Sequence, residues 1–146
     1  MYGETRVFER EETTMGIEAY KSIIRECETP RQMERRILAR ITGALTQHAK
    51  KYDEAISAEE RLGILYNGLG ETLVENQLFW RILKNDMASN GNSLESSLKG
   101  SLISIALWVE RETNSVMGGA AGVLDLIAVN QNIITGLTGA GTEQKD

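Results

Sequence analysis

Apolar residues recur at intervals of three and four along most of the chain, which is the spacing of the buried face of an amphipathic helix. No segment shows the strict alternation of apolar and polar residues that a half-buried strand requires. The pattern therefore predicts an all-α fold, an elongated helical bundle of about five helices with no sheet. The predicted helices cover 17–27, 30 to about 50, 58 to about 87, 94 to about 116, and 123–137.

Capping and breaking residues mark the ends of these helices. Thr29 followed by Pro30 is typical of a helix start, because proline lacks an N–H that would stay unbonded there. Ser57 with Glu60 matches the capping box, in which the two side chains bond orphan backbone N–H groups. Glycine-containing stretches predict three interruptions: a bend at 67–70, a turn at 89–92 with Ser93 able to cap the next helix, and a break at 118–122.

The same pattern divides the 146 residues into three parts. Residues 1–15 are polar and acidic and are predicted to be a flexible N-terminal arm or extension, with Met15 as a second candidate start. Residues 16–138 contain the strongly periodic segments and are predicted to form a single helical domain. Residues 139–146 are predicted to be a frayed C-terminal tail.

Two of the predicted helices have more apolar residues than one buried face needs. Between 58 and 87 the main stripe consists of Leu62, Leu65, Tyr66, Leu69, Leu73, Asn76, Trp80, Leu83 and Met87. A second apolar set lies roughly opposite this stripe: Ile64, Leu78, Phe79 and Ile82. The helix from 94 to 116 repeats the pattern, with Ile103 and Leu107 behind a main stripe of Leu94, Leu98, Leu102, Ile105, Val109 and Val116.

A helix that is apolar on both faces is either central in its own bundle or offers a groove to a helix of another protein. Both interpretations stay open at the level of sequence. In the second, the tryptophans are candidate aromatic anchors. The candidate partner-binding residues are Leu78, Phe79, Trp80, Ile82, Ile103, Leu107 and Trp108.

Two asparagines interrupt apolar stripes. Asn76 lies in the main stripe of the 58–87 helix, and Asn130 lies among the apolar residues of the last helix. A polar amide in an apolar seam commonly fixes helix register at some cost in stability. The alternative role for both residues is hydrogen bonding to a bound peptide.

The sequence offers little for catalysis or cofactor binding. The chain has one histidine, His48, and one cysteine, Cys27. Both fall on apolar helix faces, where such residues are ordinarily structural, and together they are too few for the usual zinc site. Leu73 occupies the third glycine position of the G-x-G-x-x-G motif that Gly68 would begin, and no strand precedes it. We therefore expect no enzyme, no catalytic residue, no metal and no cofactor.

A net charge of −5 argues against broad binding to nucleic acid or to an anionic membrane. Four arginines between 31 and 40 are the local exception, and they border the apolar stripe in two pairs, as solvated or salt-bridged side chains do. If the chain bound RNA, Arg36 and Arg40 would be the contacts. The single cysteine and the absence of a secretion signal or long apolar run predict a cytoplasmic protein without a membrane span.

Several segments occur in an order that is typical of one family. Those nearer the N-terminus are Ala19-Tyr20, Pro30-Arg31, 34–38, 41–45 and 76–80. In the second half they are 102–109 and 126–130, followed by Ile133, Gly136 and Leu137. Over about residues 15–137 the chain resembles the FlaF flagellar protein family of alphaproteobacteria.

This resemblance implies a non-enzymatic, cytoplasmic role in flagellin production and flagellum assembly. One implied role is a secretion chaperone that holds the terminal amphipathic helices of flagellin in an apolar groove before export. The other is a post-transcriptional regulator of flagellin synthesis, acting with the FlbT protein or on flagellin mRNA. The expected partner is thus flagellin, and FlbT is a second candidate. The oligomeric state stays open.

Overall fold

A computed structural model of the chain describes residues 30–89 and 95–143, and these residues are helical apart from short connections. No strand occurs among them, so the predicted all-α class is confirmed. The helices are α1 (Pro30–Glu54), α2 (Ala58–Ile64), α3 (Gly70–Ala88), α4 (Ser96–Met117) and α5 (Val123–Glu143), and a π-type segment (Leu65–Leu69) joins α2 to α3.

Several predictions fall on other residues. The arm, the 17–27 helix with Cys27, the Thr29 cap and the Ser93 cap lie outside the described residues.

The chain divides into two compact units after Glu34. Of the first unit, the described part is the beginning of α1. The second unit, from Arg35 onward, contains the features discussed below. The elongated shape stays a prediction.

The predicted cap at Ser57 is present. Ser57 has extended backbone angles, and its hydroxyl accepts the N–H of Glu60 at 3.1 Å. Other boundaries lie further along the chain than predicted. α1 continues to Glu54 rather than ending near Lys50, and α5 remains helical to Glu143, beyond the start of the tail predicted at Gly139.

The predicted bend between α2 and α3 is also present. Asn67 (φ −92°, ψ 26°) and Gly68 (φ 127°, ψ −31°) leave helical geometry inside the π-type segment. A side chain at position 68 would be strained at this φ, which glycine alone adopts readily. Because a π-type turn contains an extra residue, the buried face before the bend is shifted along the sequence by one position.

This shift corrects three assignments. Leu62 and Tyr66, predicted in the buried stripe, are exposed, and Tyr66 is 91% exposed. Ile64, predicted in the second apolar set, is buried in the core instead. Beyond the bend the prediction is accurate, since every member of the stripe is buried at a spacing of four and three: Leu69, Leu73, Asn76, Trp80, Leu83 and Met87.

The other helices complete one core around this stripe. α1 contributes Ile41, Leu45 and Tyr52, α4 contributes Val109 and Val116, and α5 contributes Leu126 and Ile127. Leu98, predicted in the buried stripe of α4, is exposed. α3 ends at Ala88, so it is too short to cover the first turns of an antiparallel α4.

The end of α1 is joined to α4 and α5 by long-range hydrogen bonds. The Asp53 carboxylate accepts the N–H groups of Gly122, Val123 and Leu124 at 2.8–3.0 Å, which satisfies the orphan donors at the start of α5. The Tyr52 hydroxyl donates to the carbonyl of Val116 at 2.5 Å. Burial raises the pKa of Tyr52, the Arg61 charge partly opposes this rise, and the Asp53 charge adds to it.

Arg61 on α2 also bonds to the region where the end of α1 meets the connection between α4 and α5. Its guanidinium donates to four carbonyl oxygens at 3.0–3.3 Å: those of Tyr52, Asp53, Ala55 and Gly119. Tyr52 and Asp53 lie in the last turn of α1, whose last carbonyls have no partner within the helix, and Ala55 directly follows that helix. Side chains of α1 and α2 that bond to backbone groups therefore hold this end of the domain together.

Candidate partner-binding surface

One face of α3 presents a line of large apolar side chains to solvent. Val74, Leu78 and Ile82 are 52%, 50% and 59% exposed. They are spaced by four residues and span about 80° of the helix at 100° per residue, on the side opposite the buried stripe. We call these three residues the α3 outer face. Single exposed apolar residues are ordinary on protein surfaces, whereas a contiguous apolar strip marks an interaction site.

The predicted partner-binding residues divide into three groups by burial. Leu78, Ile82 and, on α4, Leu107 are exposed. Phe79, Ile103 and Trp108 are partly buried against the core. Trp80 is only 1% exposed. We therefore correct the expectation that Trp80 serves as a surface anchor and leave it out of the candidate surface.

Trp80 is held inside the domain by a chain of buried hydrogen bonds. Its indole N–H donates to Oδ1 of Asn130 at 2.9 Å, and Nδ2 of Asn130 donates to Oδ1 of Asn76 at 2.8 Å. Neither asparagine is exposed to solvent. The chain joins α3 to α5 at one defined register, because sliding either helix would leave these polar groups unpaired. Both amides are buried in the core, and Nδ2 of Asn76 has no hydrogen-bond partner among the described residues.

A polar bridge fixes α3 against α4 beside the outer face. Nε2 of Gln77 donates to Oδ1 of Asn114 at 3.2 Å. In an antiparallel pair this register brings Val74 level with Met117, which is also exposed. Sequence reasoning missed Val74, although its position four residues before Leu78 was a usable signal.

Comparison with known proteins identifies the family. The family described as flagellar protein FlaF matches residues 16–137, which is most of the chain. The chain belongs to the FlaF family. No curated protein and no solved structure matches it. The family match confirms the resemblance given above and makes the chain a member of a family of flagellar proteins.

In this FlaF-family chain the predicted RNA contacts have partners on the protein. Nη2 of Arg40 donates to Oε2 of Glu75 at 2.6 Å, and both side chains are largely exposed. The pair joins α1 to α3 at the edge of the outer face and neutralises the arginine charge. Arg36 is exposed and also has an interaction of its own. Direct RNA binding stays a prediction, and the Arg40–Glu75 pair weakens its basis.

His48 lies at the bend of the FlaF fold. It is half-buried, and its Nε2 atom is 3.7 Å from the position that a β-carbon on residue 68 would take. The imidazole therefore packs over Gly68.

Among residues 30–89 and 95–143 no cluster of three or more histidine, cysteine, aspartate or glutamate side chains is arranged to hold a metal ion. The helices of these residues also lack the combined length and apolar content of a bilayer-crossing segment.

Proposed function

We propose that the α3 outer face binds flagellin and that this FlaF-family protein is a flagellin secretion chaperone. The observation that carries the proposal is the exposure of Val74, Leu78 and Ile82 in one line. A spacing of four residues is the spacing at which one helix packs its apolar side chains against another. The polar bridge to α4 and the Arg40–Glu75 pair border this line and leave its centre apolar.

The physical rationale concerns the terminal amphipathic helices of flagellin. Such helices polymerise when their apolar sides are exposed, so a carrier must cover them until export. Burying the exposed half of three large aliphatic side chains contributes roughly 3 kcal/mol, at about 1 kcal/mol each. A contribution of this size suits a carrier that must later release its cargo. Leu107 and Met117 on α4 are also exposed apolar residues.

A matched pair of leucines tests the proposal. Leu78 and Leu124 are each 50% exposed, but Leu124 lies on α5, away from the outer face. We expect Leu78→Gln to weaken flagellin binding about fivefold and Leu78→Gln with Ile82→Gln roughly twentyfold, from the lost apolar burial. Leu124→Gln is expected to leave binding unchanged. The measurement is calorimetric titration of the full chain with monomeric flagellin, after circular dichroism has shown that each variant is folded.

Truncated flagellin supplies the second arm of the test. Flagellin without its terminal helices is expected to lose binding to the wild-type chain. Unchanged affinity in the Leu78/Ile82 double variant, or after truncation, would contradict the proposed site. Binding of flagellin mRNA that falls steeply with salt and with Arg36→Ala and Arg40→Ala would instead support the regulator.

A further inference from the structure

Charged residues beside the α3 outer face differ in sign between the two ends of the helix. Glu71 lies one turn before Val74, within about 60° of it around the helix axis. Arg81 lies one turn after Leu78, within about 60° of it around the helix axis, and ten residues or about 15 Å further along the helix than Glu71. Both side chains are exposed. The outer face therefore has an acidic end toward the start of α3 and a basic end toward its finish.

Neighbouring charges leave this order intact. Glu75 is bound to Arg40. Near Arg81 the half-buried Lys84 adds a second positive charge, and the exposed Asp86, one turn after Ile82, has an interaction of its own and leaves the positive charges in excess at this end. On α4, Glu110 and Arg111 lie level with Arg81 in the antiparallel register. Their charges are opposite in sign, so together they add no net charge there. Within the described residues, neither Glu71 nor Arg81 forms an ion pair, so each can interact with a bound molecule.

We propose that the helix bound on the α3 outer face is acidic in its N-terminal half, basic in its C-terminal half, and antiparallel to α3. This inference rests on the proposed function and specifies the ligand of the same site. Acidic residues stabilise the first turn of a helix and basic residues the last, because they oppose its dipole. A helix with this charge order meets Glu71 with its basic end and Arg81 with its acidic end only when it runs antiparallel.

Two synthetic peptides test the orientation. Both are amphipathic helices with the same composition and the same apolar stripe, one acidic first and the other basic first. Fluorescence anisotropy at low salt measures their binding to the full chain. We expect the acidic-first peptide to bind about fivefold more tightly, because the basic-first peptide either loses two exposed ion pairs of up to about 1 kcal/mol each or runs parallel to α3, where the two helix dipoles repel each other. The difference should shrink at high salt because exposed charges are screened.

A charge-swapped chain controls for the different helicity of the two peptides. In the double variant Glu71→Arg with Arg81→Glu, the affinity ratio of the peptides is expected to reverse, while the apolar contacts stay the same. A photoreactive benzoylphenylalanine at position 74, one turn after Glu71 in the otherwise wild-type sequence, is expected to crosslink to the C-terminal half of the acidic-first peptide. An unchanged ratio in the swapped chain, or crosslinks confined to the N-terminal half, would overturn the orientation.

The role of the face itself is read from Leu78→Gln. If this substitution weakens both peptides while charge order has no effect, the proposed binding face stands and the antiparallel orientation is wrong. If neither peptide binds, or Leu78→Gln changes neither affinity, the proposed face is wrong and the orientation falls with it.

Discussion

The inner and outer faces of α3 differ in how they are held, although both are apolar and their residues interleave along the helix. The inner face is the buried stripe of α3. It includes Trp80 and Asn76, which both form a hydrogen bond with Asn130 on α5. The outer face, Val74, Leu78 and Ile82, has only aliphatic side chains. Apolar content alone therefore does not determine which face is buried. The face that also has polar groups requiring partners is the one that packs inside.

The largest expected effect on stability comes from a substitution of Trp80, at the centre of the inner face. Trp80→Ala removes the largest fully buried side chain and leaves the Oδ1 atom of Asn130 without its donor. We expect the free energy of unfolding to fall by about 3–5 kcal/mol, the usual cost of truncating a core aromatic residue. Urea denaturation followed by circular dichroism measures the loss. A change below about 1 kcal/mol would show that Trp80 is not packed in the core.

Asn130→Ala tests the hydrogen bonds without a large cavity. It leaves the Trp80 indole N–H and the Asn76 carbonyl oxygen buried without partners, each at a cost of about 1–3 kcal/mol. We expect a total loss of at least about 2 kcal/mol in the same unfolding experiment. Asn132→Ala is the matched control, because Asn132 is an exposed asparagine on the same helix. Equal effects of the two substitutions would contradict the register role.

Local patterns allow much of this fold to be predicted from sequence. The inner stripe beyond the bend, the Ser57 cap and the bend itself each depend on residues within a few positions of one another. The Asp53 cap on α5 joins residues about seventy positions apart, and no local pattern signals it. The fate of Trp80 was equally ambiguous, since its position fits the stripe but its indole needs a partner that only the folded chain supplies.

The candidate surface was predicted in part for the same reason. Leu78 and Ile82 could be assigned to a second face from periodicity, and both are exposed. Ile64 was wrongly grouped with them because periodicity assumes one continuous helix, and the π-type segment shifts the register before the bend. The bend was predicted from its glycines, but its effect on the buried face depends on backbone angles that sequence does not specify.

Gly68→Ala tests the backbone geometry of the bend that precedes α3. The φ of 127° at Gly68 is strained for alanine, and we expect a loss of about 2 kcal/mol in unfolding free energy. Crowding is not the cause, since the nearest atom to an added β-carbon is 3.7 Å away. Gly63→Ala is the control: Gly63 lies in α2 with open space around it, so a gain of up to about 1 kcal/mol is expected. A stabilising Gly68→Ala would show that the bend is absent.

Thr113→Val sharpens the distinction between paired and unpaired polar groups in the core. The Thr113 hydroxyl on α4 is buried and has no hydrogen-bond partner among the described residues. Replacing it with a methyl group removes an unsatisfied polar atom at nearly constant shape. We expect stability to rise by about 1 kcal/mol, measured as an upward shift of the urea midpoint at constant m-value. A loss above 1 kcal/mol would show that the hydroxyl is bonded in solution.

The smallest expected effect on stability is at the outer face, and its sequence neighbour gives the contrast. Leu73 is fully buried and Val74 is half-exposed, one position apart. Leu73→Ala is expected to cost about 2–5 kcal/mol, whereas Val74→Ala should change stability by less than about 0.5 kcal/mol. Val74→Ala should nevertheless weaken flagellin binding, because the removed methyl groups face the bound helix. If Val74→Ala instead destabilises the free chain as Leu73→Ala does, the outer face is already covered in the unbound protein, and no partner is needed to explain its apolar character.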